Sequence, residues 1–423
     1  MADPQDSTQG SGVAARRQGV ALILAAALGC IVITTPGAAQ ELDDRRIAEV
    51  HAAAKPLDAH VDILVPTTPD IYRTDDGVSQ VTIDKLEQGG LATVTLALQS
   101  PTGPDTAEGV AKARAEIDAK LARVHELADA YPRRIGLARS TADIERIHAD
   151  GRIAILLGFQ NAYGLGTDLS LIDHYVAEGV RVFAFNHAGN NAFSDSSRPS
   201  VPGDEPHGGL SALGREAVRK LNDLGVVIDV SQLTPAALKQ TIALSRAPVI
   251  ASHSAVRALV DETRNLLDEE LDAIAAADGV VHVPPFNTYV APRPPEFVAR
   301  LGQLRREHGL PAEFRGVLDD IGELAGAARG EYMEAALASV PRATIDDYLD
   351  HIDYVVERIG IDHVGIGTDF DHGAGIIGFE DASKAQNLTR GLLERGYSAD
   401  AIAQIWSGNF MRVMRAAEAA ARR

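Results

Sequence analysis

Two residues, His60 and Asp62, have the types and the spacing needed to bind a divalent metal ion. They lie in the apolar stretch 57–63, whose pattern predicts a short buried strand. Alternate side chains of a strand point to the same side, so an imidazole nitrogen and a carboxylate oxygen can reach one point. For this pair alone, a core histidine that bonds a neighbouring carboxylate is the better interpretation, because His-x-Asp is a weak signal.

Polar residues also follow the other predicted strands, and this favours the metal interpretation. They are Gln160, Asn161, Asn186, His187, Ser231, Gln232, Ser252, His253, Ser254, Asn287, Tyr289, Thr368, Asp369, Asp371 and His372. For Asn186 and Ser231, capping of a loop remains the better interpretation. His253 and Asp369, together with the first pair, predict a metal site, since their nitrogen and oxygen donors suit zinc or a similar ion.

The elements that would position these residues alternate along the chain. Predicted strands cover 57–63, 91–98, 153–159, 180–185, 226–230, 248–251, 279–283 and 363–367. Predicted helices cover 41–54, 107–130, 169–178, 213–224, 235–245, 268–277 and 345–359. Eight strands alternating with helices predict an α/β fold, a (β/α)8 TIM-type barrel with its chemistry at the carboxyl ends of the strands. An open doubly wound sheet is the structural alternative. The absence of G-x-G-x-x-G after the first strand speaks against dinucleotide binding.

Two segments interrupt the alternation. Residues 198–209 form a loop rich in proline and glycine after the fourth strand. Residues 291–342 form a long insertion after the seventh strand, with proline clusters first and predicted helices after them. Loops after barrel strands lie on the active-site face, so we expect 291–342 to act as a lid.

The composition excludes some functions. The 423 residues carry a net charge of -19, which argues against a nucleic-acid partner because no basic stripe is available for phosphates. Cys30 is the only cysteine and lies in the predicted signal segment. We therefore expect no disulfide, cysteine nucleophile or cysteine-ligated zinc in the mature protein.

The first 39 residues have the pattern of a signal peptide. An arginine pair at 16–17 precedes an uncharged apolar run at 19–35, and small residues follow at 36–39. Cleavage there predicts a periplasmic or secreted protein, with 40–423 as a single catalytic barrel domain. A retained membrane anchor is the alternative. Residues 27–30 resemble a lipoprotein box loosely, and the arginine pair resembles a twin-arginine signal poorly, so a membrane-attached lipoprotein form stays open.

Several blocks in order resemble the membrane dipeptidase (renal dipeptidase) family, a branch of the metal-dependent amidohydrolase-type barrels. The resemblance covers nearly the whole mature chain, and the ordered set of blocks is far more specific than any one of them. The blocks are 58–62, 157–191, 209–211 with the helix after it, 247–254, 264–265 and 365–371.

The resemblance implies an enzyme that hydrolyses dipeptides at a two-zinc centre. His60 and Asp62 resemble the ligands of the first zinc, and His253 resembles a ligand of the second. Asp369 is similar to the family's aspartate that handles the proton in catalysis. The resemblance also implies a possible homodimer.

Substrate contacts are implied in the same way. His187 and Arg264 resemble the family's substrate-contacting histidine and arginine, and the guanidinium fork of an arginine suits a free carboxylate. Asn287 and Tyr289, which follow the seventh strand, are further candidates for substrate binding. We expect metal-activated water to attack the amide, Asp369 to transfer the proton and His187 to polarise the carbonyl oxygen.

Two positions depart from the family's pattern. Gln160 replaces a glutamate that bridges both metals, and Gln232 replaces a histidine on the second metal. A neutral amide is a poor zinc ligand, so both are doubtful ligands. The expected result is one ion, held by His60, Asp62 and Asp369. Loss of metal chemistry with retention of a binding pocket is the alternative.

Other interpretations remain open at this stage. The enzyme could act on a non-dipeptide amide or a lactam, or the protein could be an exported peptide-binding protein. His372 is interpreted as a loop histidine, whereas His282 fits the pocket and the core equally well. The serines beside His253 do not predict a serine hydrolase, because no G-x-S-x-G motif is present.

Overall fold

Nine parallel strands and the helices between them make up most of the computed structural model. The structure describes residues 43–422 except 69–71, 73, 75–76 and 200–202, so the predicted signal peptide and apolar run lie outside the described residues. The strands are β1 (Leu57–Asp62), β2 (Thr93–Gln99), β3 (Ile135–Leu137), β4 (Ile153–Gln160), β5 (Val180–Ala184), β6 (Val227–Asp229), β7 (Ile250–Ala251), β8 (Val280–Val283) and β9 (Val364–Ile366).

Helices connect successive strands, as right-handed crossovers between parallel strands require. The α-helices are α1 (Asp44–Ala54), α2 (Ile83–Gly89), α3 (Ala107–Ala130), α4 (Thr141–Ala149), α5 (Ser170–Glu178), α6 (Ala212–Asp223), α7 (Pro235–Leu244), α8 (Asp268–Ala276), α9 (Asn287–Val290), α10 (Pro295–Glu307), α11 (Gly326–Ser339), α12 (Ile345–Ile359), α13 (Ala385–Glu394), α14 (Ala399–Ala403) and α15 (Asn409–Ala420). None of these described helices combines the length and the apolar character needed to span a bilayer.

Eight of the strands form a nearly closed barrel. Their order is β1-β2-β4-β5-β6-β7-β8-β9, and β3 pairs only with β4 outside this path. The barrel closes where the backbone N–H of Asp62 donates to the carbonyl of Phe370 and the N–H of Asp369 donates to the carbonyl of His60, both at 2.9 Å. The predicted (β/α)8 fold is confirmed, and the closing contact already carries three of the predicted metal-site residues.

The amino-terminal end of the barrel is filled by apolar side chains. Residues at the starts of several strands, among them Leu57 and Ile250, pack with Phe410 and Met414 of α15 in one buried cluster. The polar residues that follow the strands lie at the opposite end. The packing therefore leaves the carboxyl ends of the strands as the face on which a site can form.

The insertion at 291–342 carries α10 and α11 and packs on the loop that follows β7. Arg293 pairs with the buried Glu262 at 2.8 Å, and the backbone N–H of Val317 donates to the same carboxylate at 3.2 Å. The insertion thereby holds the loop that carries Arg264. Its function as a lid stays a prediction.

Candidate metal centre and substrate pocket

Three predicted residues meet at the carboxyl ends of their strands. His60 lies on β1, His253 follows β7 and Asp369 follows β9, and one ligand atom from each lies within 4.8 Å of the others. Nε2 of His60 is 3.9 Å from Oδ1 of Asp369, and the two imidazole rings stack at 3.8 Å. Residues far apart in the sequence therefore share one point, as the strand-end pattern predicts.

Asp58 fixes the last of these residues against the first strand. Its carboxylate accepts the backbone N–H of Thr368 at 2.8 Å, the hydroxyl of Thr368 at 2.6 Å and the backbone N–H of His60 at 3.2 Å. Asp369 follows with φ +58°, a left-handed conformation that aspartate tolerates better than most residues. Burial raises the pKa of Asp58 to about 7 although the bonds from Thr368 oppose this. Asp58 positions Asp369, and its place in the 58–62 motif was the only sequence signal for it.

Two buried atoms at the end of β1, one of them in this cluster, have no hydrogen-bond partner among the described residues, and they show whether a metal fits. They are Nε2 of His60 and Oδ1 of Asp62. Buried polar atoms in folded proteins are nearly always bonded, so two orphaned atoms beside the other donors indicate a missing ligand. A nitrogen and a carboxylate oxygen are the donors that zinc and similar ions accept. The residues fit one such ion.

Asp62 is held in its charged form by His372. Nδ1 of His372 lies 2.5 Å from Oδ2 of Asp62. Burial alone would raise the pKa of Asp62, but the charge and the hydrogen bond of His372 outweigh it and hold this pKa well below its usual range. Burial likewise works against the charged imidazole, yet the carboxylate of Asp62 raises the pKa of His372. His372 does lie in a turn after β9, as predicted for a loop histidine, but its side chain contacts Asp62 and lies inside the site, which favours the alternative of an additional contact to a ligand or substrate.

Gln160 and Gln232 contact His253 through their amide groups. Each amide nitrogen lies 3.2 Å from Nε2 of His253. The two glutamines are therefore at the centre, as the resemblance implies, but they present N–H groups to the imidazole. Their assignment as metal ligands stays a prediction that these contacts do not favour.

A chain of hydrogen bonds fixes which atom of Gln232 faces His253. Arg198 can only donate, and its Nη2 lies 3.1 Å from Oε1 of Gln232, so the amide nitrogen must face the imidazole. At the other side of the ring, Nδ1 of His253 is 2.6 Å from Oγ of Ser252, whose hydroxyl donates to Asp229 at 2.5 Å. Nδ1 of His253 therefore carries the proton, and Nε2 carries the lone pair.

The predicted substrate residues differ in where they lie. His187 follows β5, and its Nε2 is 3.2 Å from Nε2 of His372. Burial lowers the pKa of His187 well below its usual value, and the charges of His372 and Arg198 add to this. Arg264 donates to Oγ of Ser254 at 3.0 Å and to the carbonyl of His253 at 2.8 Å.

Tyr289 and Asn287 lie on α9 and have different surroundings. The guanidinium carbon of Arg264 lies 5.6 Å from the centre of the Tyr289 ring, so the tyrosine belongs to the pocket. Asn287 instead donates to the carbonyl of Pro341 at 2.9 Å and accepts the N–H of Ala343 at 2.7 Å. Both polar ends of the Asn287 side chain thus hold the end of the insertion. None of the contacts described for Asn287 supports a role in substrate binding.

Two further residues contact the site but were not predicted from the sequence. Tyr72 stacks on His372 at 4.3 Å, and Arg198 reaches Gln232 from the loop after β5. His282, by contrast, belongs to the core, where it packs edge-on against Phe410 at 5.8 Å. Contacts between loops have no periodic pattern in a sequence, so only the folded chain reveals Tyr72 and Arg198.

An eight-stranded parallel barrel with histidine and aspartate donors at the carboxyl ends of its strands defines a class, the metal-site (β/α)8 barrels. Within that class, this chain belongs to the membrane dipeptidase family (peptidase family M19), because the family model matches residues 44–423. The predicted family is therefore confirmed.

Known proteins similar to this chain support the same assignment. The crystal structure of the probable dipeptidase PvdM from Pseudomonas aeruginosa is 38% identical, with a TM-score of 0.81, and the match covers 89% of this chain and 98% of that one. Dipeptidase tcpJ of Claviceps purpurea (strain 20.1) is 30% identical over 70% of this chain, and dipeptidase aclJ of Aspergillus oryzae is 31% identical over 71%. The matches span 58% and 60% of those two fungal proteins.

A more distant structure has the same fold. The metallo peptidase from Rhodobacter sphaeroides is 21% identical, with a TM-score of 0.65 over 86% of this chain and 99% of that one. That protein was solved with a phosphinate mimic of the dipeptide L-Ala-D-Ala.

Proposed function

We propose that this protein is a metal-dependent dipeptidase that uses one divalent ion, zinc. The observation that carries the proposal is the cluster of His60, His253 and Asp369, with orphaned donor atoms on His60 and on the neighbouring Asp62. These four residues would hold the ion, which requires Nε2 of His253 to give up its contacts with the amide nitrogens of Gln160 and Gln232. Bound there, a zinc ion would polarise the scissile carbonyl and lower the pKa of a water molecule toward neutrality.

One ion fits this chain better than two. The oxygen of Gln232 faces Arg198 and its amide nitrogen faces His253, so the side chain presents N–H groups rather than an acceptor to the cluster. Gln160 is neutral and cannot bridge two cations as a carboxylate does. The guanidinium of Arg198, which contacts Gln232, also adds a positive charge that would disfavour a second cation on that residue.

Asp369, His372 and His187 have separate roles in proton transfer and in polarising the carbonyl oxygen. Burial raises the pKa of Asp369 above its ordinary value, which suits a carboxylate that accepts a proton and returns it to the leaving amine. The carboxylate of Asp62 favours the charged form of His372, and in that form the Nε2–H of His372 donates to Nε2 of His187. The neutral His187 then keeps its own proton on Nδ1, from which it can polarise a carbonyl oxygen.

A dipeptide is the proposed substrate because Arg264 can bind a free carboxylate close to the cluster. Its Nε is buried and has no hydrogen-bond partner, and a carboxylate would supply one. Relatives named dipeptidases, and the dipeptide mimic bound to the Rhodobacter sphaeroides protein, support the same substrate class.

The test is hydrolysis of a dipeptide panel by the protein expressed from the full sequence and purified without chelator. We expect turnover that chelation abolishes and that added zinc restores. Asp369→Asn should lower kcat by about 100-fold or more, whereas Asp400→Asn, which changes an exposed carboxylate on α14, should not change it. Thermal stabilisation by dipeptides without turnover would show that the protein binds peptides but is not a dipeptidase. Turnover of lactams or N-acyl amino acids, without turnover of dipeptides, would show that the enzyme acts on a different class of substrate.

We also propose that residues 1–39 direct export and that the mature protein is periplasmic or secreted. The charged, apolar and small-residue regions of this segment support the proposal. Amino-terminal sequencing of the exported protein tests it, with a start near residue 40 as the expected result and a retained apolar run as the contrary one. The homodimer stays a prediction, which light scattering of the purified protein tests.

A further inference from the structure

Arg198 and Arg264 place two guanidinium groups in the pocket without a carboxylate partner. Arg198 donates to the amide oxygen of Gln232 at 3.1 Å, and Arg264 donates to the Ser254 hydroxyl and to the carbonyl of His253. All of these acceptors are neutral. Among the described residues, the Nε atom of each arginine is buried and has no hydrogen-bond partner. Within the described part of the chain, each arginine therefore has unused hydrogen-bonding capacity.

The partly buried Arg293 and the buried Arg305, elsewhere in this chain, do have carboxylate partners. Arg293 pairs with Glu262 at 2.8 Å, and Arg305 pairs with Asp320. Among the described residues, neither Arg198 nor Arg264 forms such an ion pair. A guanidinium removed from water is destabilising unless an anion compensates it. The difference indicates that a ligand supplies the anions for these two arginines.

Both arginines approach the metal cluster from the side of His253. Arg264 contacts the carbonyl of His253, and Arg198 contacts the His253 ring through Gln232. Each arginine is close enough to act electrostatically on Tyr289 and Asp369. Two positive charges thus lie on the His253 side of the metal cluster, in a protein whose net charge is -19.

Among the described residues, the anions already present act on these two arginines through space but form no salt bridge with them. The carboxylate of Asp62 is paired with His372, and Asp369 faces His60. A dipeptide with neutral side chains brings one carboxylate, which satisfies one arginine only. A second negative group on the substrate is needed for the other.

We propose that Arg198 and Arg264 together bind a substrate with two anionic groups, namely a dipeptide with an acidic side chain. Arg264 takes the terminal carboxylate, and Arg198 takes the side-chain carboxylate of a glutamate or aspartate. This assignment deepens the proposed dipeptidase function and rests on it. Arg198 is then a residue that determines specificity, because its positive charge favours substrates with a negatively charged side chain.

The experiment uses isosteric pairs of peptides that differ only in charge. They are Ala-Glu against Ala-Gln and Glu-Ala against Gln-Ala, with kcat and KM measured separately for each. A charge-assisted hydrogen bond should favour the acidic member of one pair by about 10- to 100-fold in kcat/KM, chiefly through KM. Arg198→Gln should remove that preference, and Arg198→Lys should keep part of it because the charge remains without the planar fork.

The control variant is Arg306→Gln, which removes the same charge from the exposed face of α10 and should leave the preference unchanged. A preference below about fivefold in both pairs, or one that survives in Arg198→Gln, would overturn the proposal.

Calorimetric binding of the same four peptides separates this proposal from the dipeptidase function. If no peptide is hydrolysed, the proposed activity fails, but the ratio of dissociation constants still decides the role of Arg198. An affinity ratio of about fivefold or more that Arg198→Gln abolishes supports the two-arginine site, and a smaller ratio refutes it. A misfolded Arg198→Gln variant is recognised by its circular dichroism, and Arg198→Lys then takes its place, with a reduced affinity ratio as the supporting result and an unchanged ratio as the refuting one.

Discussion

Gly367 directly follows β9 and lies two residues before Asp369, where the barrel has no room for a side chain. A Cβ atom at this position would lie 1.9 Å from the carbonyl oxygen of Ser252 and 3.3 Å from Cβ of Ala59. Real Cβ atoms essentially never come within 3.0 Å of such an atom. Gly367→Ala therefore requires the backbone after β9 to move from the β7 side by about 1.1 Å, from 1.9 to at least 3.0 Å.

This displacement would act on stability and on metal binding together. Overpacking of a buried backbone contact costs about 2–4 kcal/mol of unfolding free energy. Asp369 would move away from His253 by a distance well above the ~0.2 Å that metal-ligand bonds tolerate. We therefore expect Gly367→Ala to bind the ion about 10- to 100-fold more weakly than the native protein.

The assay combines denaturant unfolding with a metal titration on the same preparations. Gly330→Ala is the matched control, because a Cβ at Gly330 in α11 meets nothing within 4 Å. The control should stabilise its helix by up to about 1 kcal/mol and leave metal affinity unchanged. If Gly367→Ala keeps native metal affinity and an unfolding free energy within about 0.5 kcal/mol of the native value, then the close contact at Gly367 does not position Asp369.

Two further predictions concern the pocket and a distant histidine. Arg264→Ala should lower kcat/KM about 100-fold for dipeptides but less than threefold for the corresponding C-terminal amides, since only the former carry the carboxylate that the guanidinium binds. Equal losses for acids and amides would contradict that role. Burial lowers the pKa of His51 from 6.5 to about 4, despite the hydrogen bond to the carbonyl of Gly89. Because the unfolded chain binds the proton first, the contribution of His51 is complete above pH 6.5 and about 3 kcal/mol is lost toward pH 4. Denaturant unfolding from pH 4 to 7 should show a flatter profile for His51→Gln, and an unchanged slope would count against this origin.

The fold was predictable because apolar periodicity marks most of its elements. Helix α3 (Ala107–Ala130) has the predicted bounds, and all eight barrel strands overlap their predicted ranges. Strand β3 (Ile135–Leu137) was not predicted, because three residues that pair with one neighbour leave no periodic signal. Helices α2, α4, α9 and α13 to α15 were also not predicted.

The site was predictable where strands end and unpredictable where loops meet. His60 and Asp369 are brought together by the barrel itself, so alternation of strands and helices sufficed to expect their meeting. His372 and Arg198 depend on loops whose conformation no periodic pattern describes. The partners of Gln232, and hence the orientation of its amide, follow only from the folded arrangement of those loops.

The metal content per chain decides whether this protein has a one-ion centre. Protein expressed from the full sequence and purified without chelator, then analysed by inductively coupled plasma mass spectrometry, should contain one divalent ion per chain, with zinc as the expected element. The same measurement on His60→Ala should give a value near zero, because that variant removes one of the two orphaned donor atoms. Two ions per native chain, or none in fully folded native protein, would contradict the one-ion centre.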